Sequence, residues 1–208
     1  MDIQPKLSDA LIGELRSRWF TPEGKDSLRE FLMKLRNEPL EWKQDFHAPR
    51  AIRSTADYPD LLTDLRGIEL RGVALRGAQL PYVDLSYAVI EKCDLADVCL
   101  QGSKLSYARF SGCDMKRSDL LQVMADHSRF EGCSLHEAVL GNGDFRKSSF
   151  LDVQMPQAIL DSADIRDAKM QRVGLKGARM HFTRFPDGFN PKKTPRGLGP
   201  DADPSPKS

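Results

Sequence analysis

Residues 93–112 read CDLAD VCLQG SKLSY ARFSG, residues 113–132 read CDMKR SDLLQ VMADH SRFEG, and residues 133–152 read CSLHE AVLGN GDFRK SSFLD. Written in fives, the third residue of each group is apolar and the first is small or short. Outward in both directions the same register runs from Leu65 to Phe185, 25 positions without a slip. The chain is 40% hydrophobic, so chance agreement is roughly one in 10^10 by counting matches to the template. In an extended chain, residues two apart point the same way. The short residue and the large one therefore both face inward, the residue between them faces out, and the remaining two turn a corner. Gly67, Gly72, Gly77, Gly102, Gly112, Gly132 and Gly177 fall on the corner, as a turn of unusual dihedrals prefers. A helix is excluded, because 3.6 residues per turn would wind a strict five-residue stripe around the cylinder.

A longer period lies within the short one. Leu80, Leu100, Leu120, Leu140 and Leu160 recur at 20, as do Cys93, Cys113 and Cys133, and Phe110, Phe130 and Phe150. Four five-residue sides then close one coil, and residue n stacks under n+20. At about 4.8 Å per coil the predicted object is a rod of about six coils, roughly 30 Å long. The groups AQLPY (78–82), CDLAD (93–97), ADIRD (163–167) and AKMQR (168–172) resemble the A(D/N)Lxx pattern of the pentapeptide-repeat family. The resemblance implies an all-β solenoid, a right-handed quadrilateral parallel β-helix, over residues 63–186. One departure is Ala125 where a large residue belongs; Phe145 is expected to lean into that space beside Gly143.

The flanks read differently. Residues 1–37 are predicted to form two helices, one capped by Ser8 with Leu11, Leu15 and Trp19 on a face, the other started by Thr21 and Pro22 with Leu28, Phe31, Leu32 and Leu35 at i, i+3, i+4, i+7. Residues 38–62, with Trp42, Phe46 and Tyr58 among prolines, read as an irregular lead-in. Part of this region is expected to cover the open edge of the first coil. The tail 187–208 holds five Pro and three Gly, a composition that predicts disorder.

Lys plus Arg total 31 and Asp plus Glu 30, so no general pull toward nucleic acid or an anionic membrane follows, and direct nucleic-acid binding is not expected. No signal-peptide pattern opens the chain and no apolar run approaches a membrane span. The expectation is a cytoplasmic protein, a monomer or weak dimer. No P-loop, GxGxxG, HExxH or Cys-based zinc pattern is present. Cys93, Cys113 and Cys133 read as small inward residues rather than metal ligands. None of His47, His127, His136 and His181 pairs in sequence with a Ser, Cys or carboxylate so as to suggest a nucleophile and base. No catalysis, metal or cofactor is expected.

The outward columns carry the candidates. Tyr87, Tyr107 and His127 should stack along one corner with Tyr82 nearby, forming a recognition stripe for a protein partner or an ordinary solvated ladder. On the side of Leu80 to Met180, Cys99, Val139 and Ile159 face outward and Leu121 sits at the turn. Apolar residues there call for cover, by the N-terminal helices in the preferred reading, otherwise by a partner or second subunit. Two functions follow: a non-catalytic interaction platform with an unspecified protein partner, or, by resemblance to the quinolone-resistance relatives, a DNA mimic that engages DNA gyrase or topoisomerase IV. The second needs an acidic rod. Residues 64–187 hold 17 acidic and 17 basic residues, although Asp84, Asp144 and Asp164 share one side.

Overall fold

A chain that repeats one turn every five residues must close on itself, and the dihedrals show the repeat. Every fifth residue from Gly67 to Phe182 has positive φ, and most of them are not glycine; Tyr107 (60°), Arg117 (54°) and His127 (58°) are examples. Most corners close when the N–H of the next small residue donates to the preceding large residue's carbonyl, as Ala78 does to Leu75 at 3.0 Å. Positive φ at the third residue is the mark of a type II turn.

The computed structural model describes residues 6–37, 41–43, 46, 48–49 and 62–193. Helix α1 spans Asp9–Ser17, a 3-10 turn covers Arg18–Phe20, and α2 spans Pro22–Asn37. Eight short strands follow: β1 (Thr63–Asp64), β2 (Glu69–Arg71), β3 (Val83–Asp84), β4 (Val89–Glu91), β5 (Arg109–Ser111), β6 (Arg129–Glu131), β7 (Ser149–Leu151) and β8 (Lys169–Gln171). All pairings are parallel. β1 pairs with β3, while β2, β4, β5, β6, β7 and β8 stack in that order, each residue opposite the one 20 later. The other sides continue the same ladder as single bridges, such as Cys99 with Asp119 and Asp119 with Val139. The result is a four-sided parallel solenoid with about five turns between its first and last stacked strand.

The large residues fill one dry shaft. Leu100, Leu120 and Leu140 are at most 1% exposed. Phe110, Phe130 and Phe150 stack with centroids 5.0 and 5.1 Å apart. Each such burial is worth about 1.5–3 kcal/mol, so the interior holds the fold. Beside Ala125, Phe145 does lean: a Cβ at Gly143 would lie 2.5 Å from its ring, and the ring reaches Phe130, at 6.3 Å, in the coil of Ala125. Cys93, Cys113 and Cys133 are free and buried in the short-residue column, each thiol donating to a backbone carbonyl.

The first coil lacks a preceding coil to supply N–H donors to its outward carbonyls. Side chains from the N-terminal region take that place. Trp19 Nε1 and Arg18 Nη2 donate to the Arg66 carbonyl at 2.9 Å, Trp42 Nε1 donates to that of Gln79 at 2.6 Å, and Lys43 Nζ to that of Pro81. One coil later the equivalent carbonyls of Ser86, Cys99 and Gln101 accept from Gly67, Leu80 and Tyr82. Phe31 of α2 packs at the mouth of the shaft with Leu65, Leu70, Leu75 and Leu80. The helix starts are those read from sequence: Leu11 N–H donates to Ser8 Oγ and Gly24 N–H to Thr21 Oγ1. Tyr58 and His47, with most of 38–62, lie outside the described residues. At the far end, Phe189 stacks on Phe185 at 5.3 Å and a 3-10 turn covers Pro191–Lys193; residues 194–208 of the predicted tail lie outside the described residues.

Candidate binding surface

The corner that begins at Gly67 carries the predicted stripe, because residues 20 apart occupy the same place on successive coils. Tyr87 and Tyr107 stack at 5.1 Å with planes 3° apart, and Tyr107 and His127 at 4.7 Å and 12°. Helix α1 lies along this corner: a Cβ at Gly67 would touch the Leu15 backbone at 2.8 Å, and the Tyr87 hydroxyl accepts from the Leu7 N–H at 2.9 Å. Tyr87 is therefore only 6% exposed and is not free to meet a partner. The open part of the stripe is Tyr107 and His127, both half-buried. Burial raises the pKa of both tyrosines, so both hydroxyls stay protonated near neutrality. Tyr82 sits at the other end of the same side, not on the stripe, with its ring over Gly102.

His127 has a partner that the sequence reading missed. Its Nδ1 lies 3.0 Å from the Asp126 carboxylate, which also accepts a 2.5 Å hydrogen bond from Ser106 Oγ. Ser106 and Asp126 are 20 apart, so the coil period predicts their contact once it is applied to polar columns. The order of contacts matters chemically. The hydroxyl meets the carboxylate and not the imidazole, so the three groups do not stand in the order of a serine activated by histidine. The arrangement fixes the ring of His127. His136 and His181 lie beside Glu137 and Asp161 on other corners. Among the described residues no group of three or more His, Cys, Asp or Glu is placed to hold a metal, and no helix is long and apolar enough to cross a membrane.

The second candidate surface is reassembled rather than confirmed. Cys99, Val139, Ile159 and Leu121 do share one side and corner, all half-buried. The N-terminal helices do not cover them as preferred above; α1 follows the Tyr87 corner, and Trp42 and Lys43 reach this side at its first coil. The reason is the ladder itself. Val139 and Ile159 pair directly, so each outward apolar side chain is shielded by the next about 4.8 Å away, and a Cβ at Gly141 would meet Leu121 at 3.3 Å.

The acidic side is neutral in practice. Asp64 binds Arg18 and Arg66, Asp144 binds Arg146, and Asp164 binds Arg166, each through both carboxylate oxygens. Asp84 is 2% exposed, and burial raises its pKa.

A family model described as pentapeptide repeats matches eight copies, over residues 63–97, 93–132 and 133–172, more than half of the chain. Solved structures with the same repeat include HetL, a pentapeptide repeat protein involved in heterocyst differentiation regulation in the cyanobacterium Nostoc sp., 18% identical, over 61% of this chain and 91% of that one, TM-score 0.32. Another is full-length QnrB1, a plasmid-mediated fluoroquinolone resistance protein, 14% identical, over 56% and 79%, TM-score 0.21. A third is a pentapeptide repeat protein of the Arabidopsis thaliana thylakoid lumen, 20% identical, over 62% and 70%, TM-score 0.22. Likeness at this level carries no argument about function. A search of curated proteins returned no match.

Proposed function

This chain belongs to the pentapeptide-repeat family, and we propose that it performs no chemistry of its own and serves as a rigid platform that holds a protein partner. The observation that carries the reading is the aromatic corner. Tyr107 is stacked between Tyr87, pinned by Leu7, and His127, pinned by Asp126. Aromatic side chains already held in place lose little freedom on binding, which is what favours a recognition stripe. The row of Cys99, Leu121, Val139 and Ile159, with Tyr82 at the adjoining turn, is the second contact surface of the same platform. A reducing cytoplasm suits three free thiols stacked one coil apart.

The test is crosslinking to immobilised protein, wild type against a Tyr107→Ala, His127→Ala double variant. Partners lost with the variant support the platform; the same partners on both remove the stripe from it. The DNA-mimic reading is not favoured, because the carboxylates that would copy phosphates are matched by arginines on their own side. Added protein is expected to leave gyrase supercoiling unchanged, with or without a quinolone, and relief of inhibition at micromolar protein would restore that reading.

A further inference from the structure

Eleven arginines lie between residues 63 and 187. Nine pair with an Asp or Glu. Among the described residues the two without a carboxylate partner are Arg109 and Arg129, and they are neighbours, directly opposite each other on β5 and β6. Like charges facing across adjacent strands oppose the fold. A solenoid that matches its other arginines and leaves these two stacked and exposed breaks its own rule at one place, which is where function is to be sought.

That place is a groove of about 370 Å³ between α1 and the aromatic corner, lined by Lys6, Arg16, Tyr107, Arg109, His127 and Arg129 among others. The two carboxylates beside the groove are already engaged, and Glu131, two residues from Arg129 on β6, forms no ion pair with it. Asp9 pairs with Lys6 at 3.0 Å, and Asp126 holds Ser106 and His127. Arg16 reaches only the Tyr87 carbonyl, at 3.5 Å, and its Nε is buried without a partner. Three guanidiniums around one groove thus lack an anion. Elsewhere on the solenoid a carboxylate occupies a guanidinium through both oxygens, as Asp97 does Arg117 at 2.7 and 2.8 Å. Two arginines one coil apart, about 4.8 Å, ask for a group with more acceptors and more charge, and a phosphoryl group has three terminal oxygens and about two charges.

We propose that this groove binds a phosphorylated side chain of the protein partner, with Arg109 and Arg129 both donating to the phosphoryl oxygens. The inference rests on the platform reading and gives it a chemistry. The carrier is a peptide because the outward column that lines the groove runs on past it along the ladder. Ser149 and Lys169 continue the column of Arg129. Lys169 stands two coils on, about three residues of extended chain away, where it meets an acidic residue of the same segment.

Fluorescence anisotropy on the full chain tests this with glycine-rich peptides carrying phosphoserine or phosphotyrosine and a glutamate three positions later. A phosphorylated peptide is expected to bind at least tenfold more tightly than its unphosphorylated form. Arg109→Ala and Arg129→Ala should each weaken it at least fivefold, while Arg166→Ala, an arginine already paired with Asp164, leaves it unchanged. Arg129→Glu should abolish binding without lowering the melting temperature, which separates lost recognition from lost folding. Equal binding of the two peptide forms, or indifference to Arg109→Ala and Arg129→Ala, overturns the proposal. So does competition by inorganic phosphate at the peptide's own concentration, which would mark a free-anion site. Partners crosslinked through Tyr107 and His127 with no phosphopeptide binding would sink this inference and leave the platform standing. Phosphopeptide binding with no crosslinked partner would do the reverse.

Discussion

The side that carries Asp64, Asp84, Asp144 and Asp164 and the side that carries Arg109 and Arg129 obey the same five-residue rule, yet they treat charge in opposite ways. On the first, each exposed carboxylate has a guanidinium two residues on, as in Asp144 with Arg146 and Asp164 with Arg166. On the second, Arg71 pairs with Glu91 at the first coils, but further along Arg109 and Arg129 are stacked and left open. The interior cannot tell these sides apart: both bury a large residue and a short one per coil. A solenoid of this kind separates stability, which resides in the shaft, from recognition, which is written in outward residues that the shaft does not constrain.

The matched side should break hardest at its first coil. Arg18 is 8% exposed, binds Asp64 through two 2.9 Å hydrogen bonds, and supplies a donor that the missing preceding coil would have given. Arg18→Ala leaves a largely buried carboxylate with Arg66 alone and takes one of the two donors from the Arg66 carbonyl, leaving Trp19 Nε1. Removing one member of a buried pair costs about 3–5 kcal/mol. Urea denaturation should show a loss of that size, whereas Arg166→Ala, with its side chain half exposed, should cost under about 1 kcal/mol.

Acid should expose a smaller part of the same interaction. Burial opposes ionisation of Asp64, but the hydrogen bonds and charges of Arg18 and Arg66 prevail and hold its pKa at about 2, from 3.8. The folded value lies below the unfolded one, so this stability is fully present above about pH 4 and is lost as pH falls toward 2, about 2 kcal/mol in all. Asp84, its neighbour on the next coil, works against it. Burial raises its pKa, so its ionised form weakens the fold at neutral pH and protonation relieves that. Asp84→Asn should therefore raise the melting temperature at pH 7 and lose more stability than wild type between pH 7 and pH 2.5. An equal acid response in the two proteins would refute the opposition.

The shaft was legible almost residue by residue, because its period is strict and burial leaves few residue types. Gly143 shows how far that went. A small residue was readable there, and so was the lean of Phe145, while the 2.5 Å clearance that demands glycine needed coordinates. Gly143→Ala should cost about 1–3 kcal/mol through overpacking, measured by thermal melting. What stayed hidden lies on the outside. The cover over Tyr87 depends on where α1 docks, and no periodicity encodes that. The hydrogen bond between Ser106 and Asp126 follows from the 20-residue period, but it is visible only when polar columns are read as pairs. The isolation of Arg109 and Arg129 is a statement about what the other arginines of the solenoid have, and it appears only after all the ion pairs are drawn.

The smallest effect bears most directly on the contrast between the two sides. Arg129→Glu converts a stacked like-charge pair into an opposite-charge pair on adjacent strands, on a surface where such changes are worth about 0.2–1 kcal/mol. The variant should melt slightly higher than wild type, and the gain should shrink in high salt, because exposed charges are screened within about 8 Å at physiological ionic strength. The same exchange at Arg166 has the opposite sign, since it places a second carboxylate beside Asp164 and removes that residue's two hydrogen bonds. Opposite signs at two exposed arginines of one ladder would show that Arg109 and Arg129 are held against the preference of the fold. A loss of stability at both sites would mean that Arg129 is a structural residue like the rest, and the distinction between the sides would fail.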